Sequence, residues 1–210
     1  LQQREFSIEL IKSAGLVGVS NKDGSVYDYF RDRLIFPIED PRGQVIGFGA
    51  RALGEVKPKY LNSPESPSFV KKSVLYGWSR ARKAARRGLP VIVVEGYMDV
   101  IAVSSSGVAA AVAPLGTALG EAQFRLLWKL SNDPVLCFDG DKAGQIAAQR
   151  AIERLLPLLE PGRSVRLAVL PEGQDPDDIL RQKGPDGLRR ILSAATGLLD
   201  SLWASKAADY

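Results

Sequence analysis

Four short apolar runs that alternate with helical segments limit the fold of this chain more than any other feature. The runs span residues 91–94 (VIVV), 108–113 (VAAAVA), 134–138 (PVLCF) and 164–170 (SVRLAVL). Runs this short and this rich in Val and Ala indicate strands that are buried on both faces. The segments with apolar residues at helical spacing are 97–106, 119–130 and 142–159. Strands that alternate with helices predict an α/β fold with a parallel four-stranded sheet and flanking helices.

Acidic residues follow three of these runs. Glu95 comes directly after the first run, Asp139 and Asp141 after the third, and Asp175 and Asp177 a few residues after the fourth. Because the carboxyl ends of neighbouring parallel strands open into one crevice, we expect these carboxylates to lie close together. Two carboxylates about 4 Å apart repel by roughly 4 kcal/mol at an effective dielectric near 20. A hard divalent cation with oxygen ligands is the usual counter-charge, which favours Mg²⁺ or Mn²⁺.

Each acid also has a purely structural interpretation. Glu95 and Asp141 stand where helices begin, so a helix cap or a first-turn acid would account for either one. Asp175-Pro-Asp177 is typical of a turn that caps the following helix. All three positions at the strand ends of one sheet favour the metal site over three unrelated caps. A site of this kind suits phosphoryl transfer, in which metal ions stabilise the attacking and leaving oxygens.

The composition excludes several kinds of chemistry. The chain of 210 residues has no His and one Cys, so His-based triads, Cys/His zinc sites and internal disulfides are excluded. Cys137 lies inside an apolar run and is predicted to be a buried core residue. No apolar stretch reaches the roughly 18 residues of a membrane span, and the first residues lack a secretory signal. The cytoplasm is therefore the expected location, and without an initiating Met the chain is expected to be a fragment.

The first part of the chain predicts a smaller α+β region before the sheet. The expected elements are a helix over 1–14, a hairpin over 34–51 around the Asp40–Gly43 turn, a loop over 54–70 and a helix over 78–87. We expect boundaries near residues 88 and 172, which divide the chain into 1–88, 89–172 and a helical segment 173–210 that breaks at Gly184-Pro185. The net charge is +4, and five basic residues lie within 79–88. That cluster favours a polyanionic partner such as nucleic acid, with a solvated helix face as the alternative.

The acidic motifs resemble those of a known domain. EGYMD, DGD and DPD on alternating strands and helices are similar to the topoisomerase–primase (toprim) domain. The longer pattern resembles the RNA-polymerase core of bacterial DNA primases over about residues 25–185. The segments that carry this resemblance are FPIED-RGQVIGFGAR, PKYLNSPES-F-KK-LYG, EGYMDVIA, AVAPLGTAL, CFDGDKAGQ-AA-RA and LPEGQDPDD.

The resemblance implies a DNA-dependent RNA polymerase that makes short RNA primers on single-stranded DNA from ribonucleoside triphosphates. It implies catalytic roles for Glu95, Asp139 and Asp141. The acids it assigns to divalent metal are Glu95, Asp139, Asp141, Asp175 and Asp177, with Asp99 close by. The residues it assigns to the nucleotide or the template are Arg51, Lys59, Tyr60, Asn62, Lys71 and the adjacent Lys72. Because a triphosphate carries several negative charges, Lys and Arg are suited to hold it.

The chain departs from complete primases of this family. Those proteins also carry a zinc module and a domain that contacts the replicative helicase, and we expect neither in this fragment. Contact with the helicase would need the missing domain, and no zinc is expected here. Two other functions stay open, a toprim-type nuclease or topoisomerase and a non-catalytic module that binds metal or nucleic acid. Residues 34–76 favour the primase, because a simple toprim nuclease would not need them.

Overall fold

Two units make up the chain, residues 1–71 and residues 72–210. The computed structural model describes residues 5–116 and 118–207, with side chains to residue 203. The predicted boundaries near residues 88 and 172 both fall within the second unit and stay predictions. Thr117, a candidate cap for the predicted helix over 119–130, lies outside the described residues.

The first unit begins with a short helix and a two-stranded ribbon. Helix α1 (Ile8–Ser13) starts after Ser7, whose hydroxyl accepts a hydrogen bond from the Leu10 amide at 3.2 Å. The predicted helix over 1–14 is therefore shorter than expected, and its first four residues lie outside the described part of the chain. Strands β1 (Val17–Val19) and β2 (Val26–Asp28) pair antiparallel.

The predicted hairpin is confirmed as β3 (Arg33–Glu39) and β4 (Val45–Ala52), which pair antiparallel. Its turn is fixed by Asp40, whose carboxylate accepts the Arg42 and Gln44 amides at 2.8 and 2.9 Å. The prediction of mostly loop over 54–70 missed β5 (Tyr60–Asn62), which pairs with β4. A strand of three residues gives no recognisable alternation in a Pro-rich segment, and its pairing with β4 stabilises it.

The second unit alternates helices and strands as predicted. Its helices are α2 (Trp78–Ala85), α3 (Tyr97–Ser106), α4 (Glu121–Trp128), α5 (Lys142–Leu155), α6 (Pro176–Ser193) and α7 (Leu198–Ala207). Its strands are β6 (Val91–Val93), β7 (Ala110–Val112), β8 (Val135–Leu136), β9 (Arg166–Leu167) and β10 (Thr196–Gly197). Short 3₁₀ turns cover Lys71–Ser73, at the junction of the two units, and Leu156–Leu158.

The sheet has the order β10-β9-β8-β6-β7. The four predicted strands are parallel to one another, which confirms the α/β prediction. A fifth strand, β10, adds antiparallel to β9 at the edge and was missed, because two residues of Thr and Gly form no apolar run. The order places β6 and β8 side by side at the centre, so the residues that follow them come together.

Buried apolar residues hold this sheet between its helices. Val91 and Val93 of β6 and Leu136 of β8 belong to one core cluster with Phe124 of α4 and Leu155 of α5. Burying each such side chain stabilises the fold by about 1.5–3 kcal/mol. The predicted break in the last segment is also present, because Gly184 has φ +66° inside α6, directly before Pro185. In the described part of the chain, no helix has both the length and the apolar character that crossing a membrane requires.

Candidate functional site

The two central strands place Glu95 beside Asp139. Glu95 lies two residues after the end of β6, and its Oε1 atom accepts a hydrogen bond from the backbone N–H of Asp139 at 3.0 Å. The preceding strand residues are held in register, since the Cys137 amide donates to the Val93 carbonyl at 2.8 Å. Cys137 itself is fully buried, as predicted. The ends of β6 and β8 are thus joined by a side chain of the predicted site.

A second contact ties the loop after β8 to the loop after β9. The Gly140 amide donates to the Gln174 carbonyl at 3.0 Å, and a Cβ atom at residue 140 would overlap the carbonyl of Pro171. The side-chain-free Gly140 therefore lets the two loops touch through their backbones. This contact brings Asp139 and Asp141 to the same edge of the sheet as Asp175.

Three of the acids cap helices, which confirms the structural interpretation of Asp141 and Asp175 and adds Asp99 to it. Asp141 precedes α5 and accepts the Gly144 amide at 2.8 Å, and Asp175 precedes α6 and accepts the Asp178 amide at 2.7 Å. Asp99, in the first turn of α3, accepts the Gly96 amide at 3.1 Å. An oxygen used as a cap leaves the second oxygen of the same carboxylate for another ligand. Capping and metal binding are therefore compatible roles for these residues.

The carboxylates influence one another strongly. The pKa of Asp139 is raised to about 7, first by burial and then by the negative charges of Glu95, Asp99, Asp175 and Asp141. Burial likewise raises the pKa of Asp99 to about 7, helped by Asp175 and Asp177 and opposed by its bond from the Gly96 amide. All six predicted acids thus belong to one electrostatic group. Arg181 forms an ion pair with one member of this group, 2.5 Å from Asp177.

Asp139 provides the test of whether this group suits a cation. Its Oδ1 atom is buried and has no hydrogen-bond partner among the described residues. An unpaired, buried carboxylate oxygen surrounded by like charges is costly unless a cation balances it. The donors are all oxygen, which fits a hard divalent ion. Among the described residues, however, no three acidic or Cys side chains are arranged to hold a single ion together.

The predicted nucleotide and template residues lie mainly on the three-stranded sheet of the first unit. Arg51 on β4 pairs with Tyr60 on β5, and its guanidinium lies 6.0 Å from the centre of the Tyr60 ring. The ammonium group of Lys59, the residue directly before Tyr60, lies at the same distance from the centre of that ring. Asn62 lies two residues beyond Tyr60, on the same face of β5. The structure therefore brings these four residues together.

Lys71 and Lys72 belong to the 3₁₀ turn Lys71–Ser73, where the first unit ends and the second begins along the chain. The Lys71 backbone amide donates to Glu65 Oε1 at 3.2 Å, and the Lys72 side chain is exposed. Their assignment to the nucleotide or the template stays a prediction.

A cleft beside Glu95 is lined by a basic side chain, that of Arg150, which the sequence analysis missed. It has a volume of about 280 Å³ and is lined by Glu95, Pro114, Gly116, Ala118, Leu119, Phe138, Ala143, Ile146, Ala147 and Arg150. Pro114 and Gly116 place the loop after β7 in this lining. Arg150 was detectable in principle, since residues 143, 146, 147 and 150 recur at the spacing of one helix face.

The arrangement of acids on a parallel sheet identifies the class of the second unit. Residues 92–180 match the family model described as toprim-like. Residues 1–82 match the model described as the N-terminal domain of the DNA primase catalytic core.

Relatives extend the similarity over almost the whole chain. The DNA primase of Pseudomonas aeruginosa is 48% identical over 196 residues, which are 93% of this chain and 30% of that protein. The RNA polymerase domain of Mycobacterium tuberculosis primase DnaG has a TM-score of 0.85 at 34% identity, over 99% of this chain and 68% of that one. A DnaG primase catalytic domain bound to single-stranded DNA has a TM-score of 0.88 at 40% identity, over 98% of this chain and 65% of that one.

The chain belongs to the DNA primase catalytic-core family. It spans about 30% of the length of the curated primase it matches.

Proposed function

We propose that this chain is the catalytic core of a DNA-dependent RNA polymerase that makes short RNA primers on single-stranded DNA. The substrates are ribonucleoside triphosphates. In each step the primer 3′ hydroxyl attacks the α-phosphorus of a nucleotide, and the bond from that phosphorus to the departing pyrophosphate breaks. The observation that carries the proposal is the acidic group around Asp139, at the carboxyl edge of the sheet. The family membership and the DNA-bound relative support it.

The acids are proposed to hold divalent metal, Mg²⁺ or Mn²⁺. The ion would balance the developing charge on the attacking and leaving oxygens. Mg²⁺ in such enzymes is bound by one or two carboxylates, with waters and substrate phosphates as its other ligands. That coordination needs only one or two carboxylates. It is therefore compatible with the described acids, among which no three are arranged to hold one ion. Asp139 is the first candidate, since its buried oxygen has no donor, and Glu95 keeps the loop of Asp139 in place.

The basic residues are proposed to bind phosphates. Arg150 faces the same cleft as Glu95, so it can neutralise an anion that approaches the carboxylates. Arg51 and Lys59, each 6.0 Å from the centre of the Tyr60 ring, form a cationic surface with an aromatic ring that fits a nucleotide or the template strand. Charge-assisted hydrogen bonds from such side chains to phosphate oxygens are about twice as strong as neutral ones.

Primer synthesis by wild type and two acid variants tests this function. Asp139→Asn and Asp141→Asn are expected to abolish ribonucleotide incorporation on a single-stranded template with Mg²⁺, while the circular dichroism spectrum stays unchanged. Asp186→Asn is the matched control, because it removes an exposed acid that pairs only with Arg189 on α6. Incorporation that persists in both site variants would refute the role of these acids as the metal site, and a wild-type chain that incorporates no ribonucleotide would refute the proposed function.

The same assay separates the other two functions. Cleavage of the template without incorporation would indicate a nuclease or topoisomerase. Binding of metal and DNA without either reaction would indicate a non-catalytic module. Contact with a replicative helicase stays a prediction for the complete protein.

A further inference from the structure

Helix α2 carries positive charge on its whole outer surface. Its basic residues, with those of the following turn, are Arg80, Arg82, Lys83, Arg86 and Arg87, and all five are exposed. At 100° per residue they occupy a continuous arc of about 160°. Trp78, Ala81, Ala84 and Ala85 occupy the opposite arc and pack against the core of the second unit. We call the five residues the α2 basic face.

The other exposed helices of the second unit do not have this charge distribution. Glu121 pairs with Arg125 on α4, and α6 pairs Asp177 with Arg181 and Asp186 with Arg189. Helix α2 has no acidic residue, and in the described part of the second unit none of its cations forms an ion pair. A helix face that serves only for solubility usually mixes both signs.

The α2 basic face accounts for more than the chain's entire net charge of +4. The favourable interaction of cations with the C-terminal end of a helix can account for Arg82, Lys83, Arg86 and Arg87, which lie in the last turn of α2 or directly after it. It does not explain Arg80, which lies in the first turn. A partner with dense negative charge explains all five.

The position of α2 connects this face to the acidic edge of the sheet. Just before α2, Tyr76 pairs with Ala113 at the carboxyl end of β7, with its amide 2.8 Å from the Ala113 carbonyl. Just after α2, the Pro90 carbonyl accepts the Ala110 amide at the amino end of β7, also at 2.8 Å. The helix therefore runs along the flank of the sheet, from the edge that carries the acids to the opposite edge.

We propose that the α2 basic face binds the phosphate backbone of single-stranded DNA outside the reactive centre. The inference rests on the proposed function, which supplies a single-stranded template. The only aromatic residue of α2, Trp78, is 6% exposed, so no ring is available to stack on a base. The contact is therefore made to phosphates alone and is independent of sequence. Residues 80–87 extend over about 10 Å, the length that carries about three phosphates in one strand of a duplex.

Charge removal on this face is the first arm of the test. The variant carries Arg80→Gln, Lys83→Gln, Arg86→Gln and Arg87→Gln, and leaves Arg82, whose guanidinium lies 5.6 Å from the Trp78 ring centre. The control removes four exposed charges elsewhere in the same unit, by Lys129→Gln, Lys183→Gln, Arg189→Gln and Arg190→Gln. Both variants have the same net charge, so a difference between them reports the location of the charges.

Binding to a 30-nucleotide single strand is measured by fluorescence anisotropy over a range of salt, without nucleotides. Each phosphate contact contributes about 0.7 to the salt slope, or about fivefold in affinity at 0.1 M salt. For two to three lost contacts, the α2 variant is expected to bind about 25- to 100-fold more weakly, with a salt slope smaller by about 1.5–2. The affinity of the control variant for the single strand is expected to stay within about threefold of the wild-type affinity. Arg80→Lys, Arg86→Lys and Arg87→Lys together should keep most of the affinity, which excludes a folding defect.

Several results would overturn the inference. Equal weakening in the α2 variant and the control would show that only net charge matters, and a wild-type chain that binds no DNA at low salt would also refute it. A loss seen only with duplex DNA, or only with vesicles of anionic lipid, would assign the face to that partner instead. Because binding is measured without nucleotides, its result is independent of catalysis. A wild-type chain that binds the single strand but incorporates no ribonucleotide would refute the proposed function and leave the binding result to stand by itself.

Discussion

Gly140 shows, at the scale of single residues, how the acidic loop depends on a missing side chain. An added Cβ would overlap the backbone carbonyl of Pro171, which no side-chain rotation can relieve. Gly140→Ala should therefore lower the free energy of unfolding by about 1–3 kcal/mol, measured by urea denaturation. Gly54→Ala is the control, because a Cβ there meets no atom within 4 Å. Equal effects of the two substitutions would contradict the close loop contact.

Cys137 gives a second prediction at this scale. Burial raises the pKa of its thiol to about 12, so the reactive thiolate is scarce at neutral pH and the sulfur is shielded from solvent. The native chain should not react with a thiol reagent at pH 8 over minutes. The chain unfolded in urea should react with one equivalent of the reagent, through its single Cys. Rapid labelling of the native chain would show that the end of β8 opens without global unfolding.

The caps of the helices carry the next prediction, at the scale of secondary-structure elements. Asp175 caps α6 through the Asp178 amide, and Asn is as good a cap as Asp. Asp175→Asn should therefore keep the thermal stability, while Asp175→Ala should lose about 1 kcal/mol. If Asp175 also binds metal, both variants should weaken metal binding. A stability loss of the same size in both variants would argue against the capping role.

The elements also show what the sequence could predict and what it could not. The Val- and Ala-rich runs predicted all four parallel strands, because buried strands have a strong apolar signal, although each strand is shorter than its run. Strands β5 and β10 depend on partners distant in the chain, so their own few residues gave no signal. The acids were found because they follow apolar runs. Arg150 was missed because its place at the cleft depends on how α5 packs.

On the scale of the whole molecule, charge is separated into regions of opposite sign. The acids gather at the carboxyl edge of the sheet, while five cations line the outer surface of α2 in the same unit. A chain with a small net charge can thus hold a strongly acidic site and a strongly basic surface. A metal-dependent enzyme that acts on a polyanion needs both, because the cations attract the substrate that the acids alone would repel.

The acidic group should also lower the stability of the metal-free molecule. The raised pKa of Asp139, about 7 against an ordinary 3.8 for an Asp side chain, means that the folded chain binds this proton more tightly than the unfolded chain. The resulting loss of stability is absent below about pH 4, grows as the pH rises and is complete above about pH 7. Asp139→Asn should therefore raise the free energy of unfolding by on the order of 2 kcal/mol at pH 8 in EDTA, and by less at pH 5. Adding Mg²⁺ should stabilise wild type but not the variant, and the exposed Asp186→Asn should change neither. Calorimetry that finds equal Mg²⁺ stabilisation in wild type and Asp139→Asn would exclude Asp139 as the residue through which metal stabilises the fold.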